Sequence, residues 1–152
     1  VAMKRICLLF AMFVWLSCGL LHAQEEVKGN VLDDIQVDVK AVHLDPDNDT
    51  LTIDLFLISY HMDQREFKLN TYATQVLDVN GKQHLFTSLK MGRILIHIKD
   101  RQNYLHYLFE ENVPVPLIIK YAHWKQERPK KLLLVFEDST EEGKFITQEV
   151  DL

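Results

Sequence analysis

Beyond residue 23 this chain has no cysteine, since both of its cysteines, Cys7 and Cys18, lie near the N-terminus. A domain beginning after that point has no disulfide, no thiolate nucleophile and no thiolate metal site, and an exported fold of this kind relies on packing alone. Glycine is scarce, five in 152 residues, and no glycine-rich phosphate loop occurs. After Leu21 no apolar run approaches the roughly 20 residues that cross a bilayer as a helix. No stretch sustains the 3.6-residue period of an amphipathic helix, and there is no internal repeat or low-complexity segment. Positive charge is also in deficit, with 17 Lys and Arg against 22 Asp and Glu. That balance disfavours nucleic acid and anionic membrane as partners.

The N-terminus reads as an export signal. Lys4 and Arg5 form a short basic region, Ile6 to Leu21 is apolar apart from Ser17, Cys18 and Gly19, and Leu21-His22-Ala23 precedes Gln24-Glu25-Glu26. Basic start, apolar middle and a small residue before acid make the three-part pattern of a secretory signal peptide at 1–23. The apolar run, about 16 residues, is short for a permanent span. Removal of Lys4 and Arg5 makes the formal charge of −5 two units more negative. Cys18 leaves a second reading open, that of the lipid-bearing residue of a bacterial lipoprotein. Trp15-Leu16-Ser17 precedes it, without the usual aliphatic residue three positions earlier. A single lipid would tether the domain rather than make it span. The expected location is periplasmic or extracellular, or lipoprotein-anchored.

The remaining length suits one domain with its own core. Residues 24–34 are polar and read as a flexible lead-in to a domain at 35–152. Ile35 to His43 alternates, with Ile35, Val37, Val39 and Ala41 on one face, as a half-buried strand does. Asp45 to Asp49 is dense turn chemistry joining it to Thr50–Tyr60. There Leu51, Ile53, Leu55 and Leu57 share one face, and Phe56 and Ile58 make the other face apolar too. This predicts a central strand covered on both sides. His61 to Glu66 reads as a polar loop, and Phe67 to Val79 as strand with a break near Asn70. Asn80-Gly81 carries a type I′ hairpin signal, with His84 to Leu89 as the return strand. Gly92 marks a turn, Arg93 to Lys99 alternates as a strand, and Asp100 to Asn112 fits a short helix or a strand equally. Pro114 and Pro116 require a strand entrance or an edge, because proline cannot donate to a ladder. Leu117 to Trp124, Lys131 to Glu137 and Lys144 to Leu152 read as further strands. Eight or nine strands, with turns every eight to twelve residues, predict an all-β sandwich or barrel.

The order of motifs Asp78–Lys82, Lys90–Gly92, Val113–Tyr121 and Lys130–Phe136 resembles that of telokin-like, immunoglobulin-like domains of small exported bacterial proteins. The resemblance covers most of 35–152. It implies a two-sheet Greek-key β-sandwich and no activity, since the fold hosts many functions.

Few constellations point to chemistry. Asp45, Asp47 and Asp49 repeat as calcium loops begin, but Thr50 and Phe56 stand where an EF-hand needs Gly and Glu. A weaker calcium site there, shared with Asp54 or another loop, remains a candidate beside the plain solvated turn. His43, His61, His84, His97, His106 and His123 lack compact metal spacing, although His97 and His106 meet if 100–103 is a tight turn. Ser59, His61 and Asp63 are close in sequence only, there is no G-x-S-x-G, and Glu110-Glu111 and Glu141-Glu142 read as solvated faces. No catalytic residue and no cofactor is expected. Lys125, Arg128, Lys130 and Lys131 make a basic turn that reads as a solvated hairpin. Tyr104, Tyr107, Tyr121 and Trp124 form either part of the core or an exposed aromatic platform for a ligand. The expected function is an exported, non-catalytic binding module recognising another envelope or extracellular protein. The alternative is a carbohydrate- or small-ligand-binding module using those aromatics.

Cleavage after Ala23 makes Gln24 the first residue of the exported protein. Mass spectrometry of that protein checks this; an uncleaved chain, or a lipidated Cys18 at the N-terminus, contradicts it.

Overall fold

The structure, a computed structural model, describes residues 30–152. The expected signal peptide, Cys18 and the first part of the lead-in lie outside the described residues. Two antiparallel sheets enclose one core. The first contains β1 (Val31–Leu32), β2 (Ile35–Asp45), β3 (Thr50–Ser59), β7 (Ser88–Met91), β8 (Ile94–His97) and β10 (Val115–Tyr121). Its spatial order is β1-β2-β3-β10-β7-β8. The second contains β4 (Arg65–Asn70), β5 (Gln75–Leu77), β6 (Gln83–His84), β9 (Tyr104–Phe109), β11 (Lys131–Glu137) and β12 (Phe145–Asp151). There β11 pairs with β12 along its full length and with β5 and β4 on its other side. Beyond these come β6, beside β5, and β9, beside β4. A 3₁₀ turn at Ile98–Asp100 is the one helical element among the described residues.

Alternation explains the core. Leu51, Ile53, Leu55 and Leu57 of β3 are fully buried, as are Leu117 and Ile119 of β10 beside them. Facing them from the second sheet are Leu69, Leu105, Phe109, Leu132, Leu134 and Phe136. Phe67 meets Phe109 edge-on, with ring centroids 5.0 Å apart, the arrangement that aromatic quadrupoles favour. The outer face of β3 is a correction to the expectation of two covered sides. Phe56 and Ile58 are only half-buried, because no further layer lies over that face among the described residues.

Several boundaries move for local reasons. Val31–Leu32 pairs with β2, so the flexible lead-in already contains strand by residue 31. Arg65 and Glu66 belong to β4 rather than to a loop. Arg65 is buried because its guanidinium meets Asp33, with Nη2 2.5 Å from Oδ2. The expected break near Asn70 separates β4 from β5. The Asn80-Gly81 hairpin is longer than type I′. Leu77 pairs with Gln83, and of the two turn residues only Gly81 has positive φ, +80°. The return segment does not form one strand either. His84 pairs in the second sheet and Ser88 in the first, so the chain crosses the core between them at buried Phe86. The ambiguous segment resolves as β9. Pro116 is the second residue of β10, opposite Phe56, just before pairing with β7 begins at Leu117. Its missing N–H therefore costs no ladder bond on that side. Strand β10 ends at Tyr121 rather than Trp124, and His123 turns the chain at φ +57°.

Leu55→Ala and Leu57→Ala should each destabilise by about 2–4 kcal/mol through lost burial plus a cavity. Asp54→Ala, on the outer face, should stay within about 1 kcal/mol. Urea unfolding of the three variants reads this directly; a loss at Asp54 as large as at the leucines would contradict the assignment of faces.

Candidate functional site

The four aromatic candidates do not form one surface. In β9, Tyr104 and Tyr107 differ by an odd number of positions, so the pleat sends them to opposite faces. Tyr104 is on the outside of the second sheet, stacked on Phe145 with centroids 5.6 Å apart. Tyr107 turns inward, and its hydroxyl lies against Gly92 so closely that a Cβ there would sit 2.7 Å from it. Tyr121 and Trp124 are together, 5.9 Å between centroids, but they are 1% and 6% exposed. Burial pushes the Tyr121 phenol far above its ordinary value. An exposed platform from all four is therefore corrected: Tyr121 and Trp124 close one end of the core, and only Tyr104 offers a substantial outer surface.

Trp124 belongs to a corner that holds the 122–130 loop. Its indole Nε1 donates to the Glu127 carbonyl at 3.1 Å, and its backbone N–H donates to the Asp49 carbonyl at 2.7 Å. His84 packs edge-on against its ring at 4.8 Å. Behind His84 is Asp78, nearly fully buried, whose Oδ2 lies 2.8 Å from His84 Nε2. Asp78 Oδ1 accepts the backbone N–H groups of Asn80 and Lys82 at 2.9 and 3.0 Å. The His84 hydrogen bond, followed by these two, holds the Asp78 carboxyl below its usual range against the cost of burial.

The calcium candidates have internal occupations. Asp45 Oδ1 accepts the N–H groups of Asp47 and Asn48, and its Oδ2 accepts from Asn48 Nδ2 at 2.7 Å. Asp49 faces Lys125 at 3.8 Å. The Asp45 contacts to the backbone are those of an Asx turn, in which the carboxylate stands in for a missing backbone partner. Among the described residues no three His, Cys, Asp or Glu side chains gather as a metal-binding group. His97 and His106 belong to different sheets. The Ser59 hydroxyl accepts from the His61 backbone, and His61 Nδ1 accepts from the Asp63 backbone, so no Ser-His-Asp relay forms there.

Two outer surfaces escaped the sequence reading. On the second sheet, a cleft of about 430 Å³ is lined by Glu66, Lys68, His106, Glu137, Asp138 and Glu142. Lys68 Nζ is 2.7 Å from Glu137 and lies over the Tyr104 ring at 4.6 Å. On the first sheet, the pleat and register build a broad face across five strands. One row runs Leu95, Lys90, Ile118 and Asp54, and the next runs His97, Ser88, Lys120 and Thr52. Pro116 and Phe56 form a third. Leu95 is 52% exposed, Lys90, Pro116 and Lys120 are exposed, and Phe56, Ile58 and Ile118 are half-buried. No single strand announces this face, because its residues come from several strands, Thr52, Asp54, Phe56 and Ile58 from β3, Pro116, Ile118 and Lys120 from β10, and the rest from β7 and β8.

Comparison with known proteins finds no matching family model, no matching curated protein and no matching solved structure.

Asp78 sets an acid limit on the corner. A depressed carboxyl stabilises the fold fully above its unfolded value near pH 4, and that contribution is lost as pH falls through the folded value. Asp78→Asn should lower the melting temperature at neutral pH, with the gap to the unsubstituted protein closing as pH falls to about 2. A gap that stays constant across that range would contradict the role of the charge.

Proposed function

We propose that this chain is an exported, non-catalytic binding module of the cell envelope that recognises another protein, built as an immunoglobulin-like Greek-key sandwich. The observation that carries the reading is the outer face of the first sheet, where Leu95, Pro116, Ile118, Phe56 and Ile58 form an apolar surface among polar neighbours. Exposed apolar area of this kind, rimmed by polar groups, is characteristic of protein interaction sites. The whole sheet face that carries these residues, polar positions included, spans five strands, about 20 Å at the usual spacing, and seven residues of β10, about 24 Å. That footprint, on the order of 500 Å², is enough for a small or transient interface.

The alternative, a carbohydrate- or small-ligand-binding module, draws less support, because Tyr121 and Trp124 are committed to the core. Export rests on the three-part N-terminal pattern and places the module in the periplasm or outside the cell, with lipid attachment at Cys18 as the anchored variant.

A photo-crosslinking residue at position 118, in the cells that make the protein, should give a discrete adduct with another protein. The same residue at Thr147, on the outside of the second sheet, should not. Equal adducts at both positions, or none at 118, would overturn the reading.

A further inference from the structure

We infer that the partner meets this face with an extended acidic segment carrying apolar side chains, an inference that rests on protein recognition as the role of the face. Most other lysines have acidic neighbours: Lys40 with Asp54 on this same face, and elsewhere Lys68 with Glu137, Lys125 with Asp49, Lys131 with Glu149, and Lys144 with Glu141. Lys90 and Lys120 are exposed and form no ion pair among the described residues. In a chain with 22 acidic residues against 17 basic ones, acids to pair them are not in short supply. The register explains their isolation. Lys90 lies opposite Ile118 on one side and Leu95 on the other, and Lys120 lies opposite Ser88 and Thr52. Asp54, two strands from Lys90, is engaged by Lys40 at 3.8 Å.

The two free ammonium groups flank a shallow cleft of about 340 Å³ lined by Ser88, Lys90, Leu95, His97, Ile118 and Lys120. Its floor is apolar and its cations are unmatched, so the complementary ligand brings carboxylates and an apolar side chain together. Diagonal neighbours in adjacent strands are about 7–8 Å apart. Alternate residues of an extended segment are separated by nearly the same distance, about 6.8 Å. Carboxylates at every second position therefore reach Lys90 and Lys120, and an apolar residue on the same side covers Leu95 and Ile118.

Other anionic partners fit less well. Polybasic attachment to a membrane takes about 4–8 clustered cations. Nucleic-acid binders commonly neutralise about 6–10 phosphates. Three lysines, Lys40, Lys90 and Lys120, with Asp54 and Asp38 on the same face, supply neither.

The exported protein, labelled with ¹⁵N, is titrated with a capped octapeptide in which glutamate, glutamate and leucine take successive alternate positions with serine between them, so that all three share one side when extended, and separately with the counterpart that has lysine for each glutamate. The acidic peptide should shift the amides of 88–97 and 116–120, the lysine peptide should not, and raised salt should weaken the effect. Lys90→Glu with Lys120→Glu should weaken acidic-peptide binding about tenfold. Lys90→Gln with Lys120→Gln serves as the milder pair, and the amide spectrum of each variant checks folding. Equal shifts with both peptides, or shifts confined to the acidic cleft, would overturn the inference. So would concentration-dependent self-association abolished by the charge reversal, since the occupant would then be the acidic face of a second copy. Crosslinking from position 118 that survives the double charge reversal sinks the acidic chemistry while leaving protein recognition standing. Absence of crosslinking in the unsubstituted chain sinks recognition itself.

Discussion

Everything in this structure depends on closing one apolar layer between two sheets without a covalent staple. Residues 30–152 contain no cysteine, so burial must offset the conformational entropy of the whole domain. Strand β3 lies between β2 and β10 in the first sheet, and its four inward apolar residues are fully buried. The second sheet answers with Leu69, Leu132, Leu134 and Phe136. Removing any of these leaves a cavity that neighbours held in two hydrogen-bonded ladders cannot readily fill.

The margins of this layer are held by polar contacts of long sequence separation. Arg65 reaches Asp33 across one open side, and Asp33 also accepts from the Ser139 hydroxyl at 2.7 Å. Gln148 of β12 donates to the Asn30 carbonyl on the same side. At one end, Asp78, His84 and Trp124 tie a hairpin of the second sheet to the loop that leaves β10 in the first. An unpaired buried charge costs several kcal/mol, so such partners are strongly specified once the sheets come together. The sandwich therefore leaves its two outer faces free to differ in character. One is acidic around Glu66, Glu137 and Glu142; the other is apolar with unpaired lysines.

What the residues determined by themselves was the class of element and the inward set. Alternation is local, so Ile53, Leu55, Leu57, Leu132 and Leu134 declare their common face without knowledge of what covers it. Turn chemistry was equally local, as Asp45 to Asp49 and Gly92 show. The β2–β3 hairpin was local too, but only tertiary structure decided which distant strands became neighbours. Residues 84–89 look like one strand, yet they divide between two sheets, because Phe86 is drawn into the core and the chain must cross there. Burial of Tyr121 and Trp124 was decided in the same way, by the end of β10 meeting the 78–84 hairpin. The outer face of the first sheet depended on it most. Leu95, Lys90 and Ile118 become a row only when β8, β7 and β10 pair in register; the β7–β8 hairpin is local, but Lys90 pairs with Ile118 across 28 residues, beyond the reach of any local pattern.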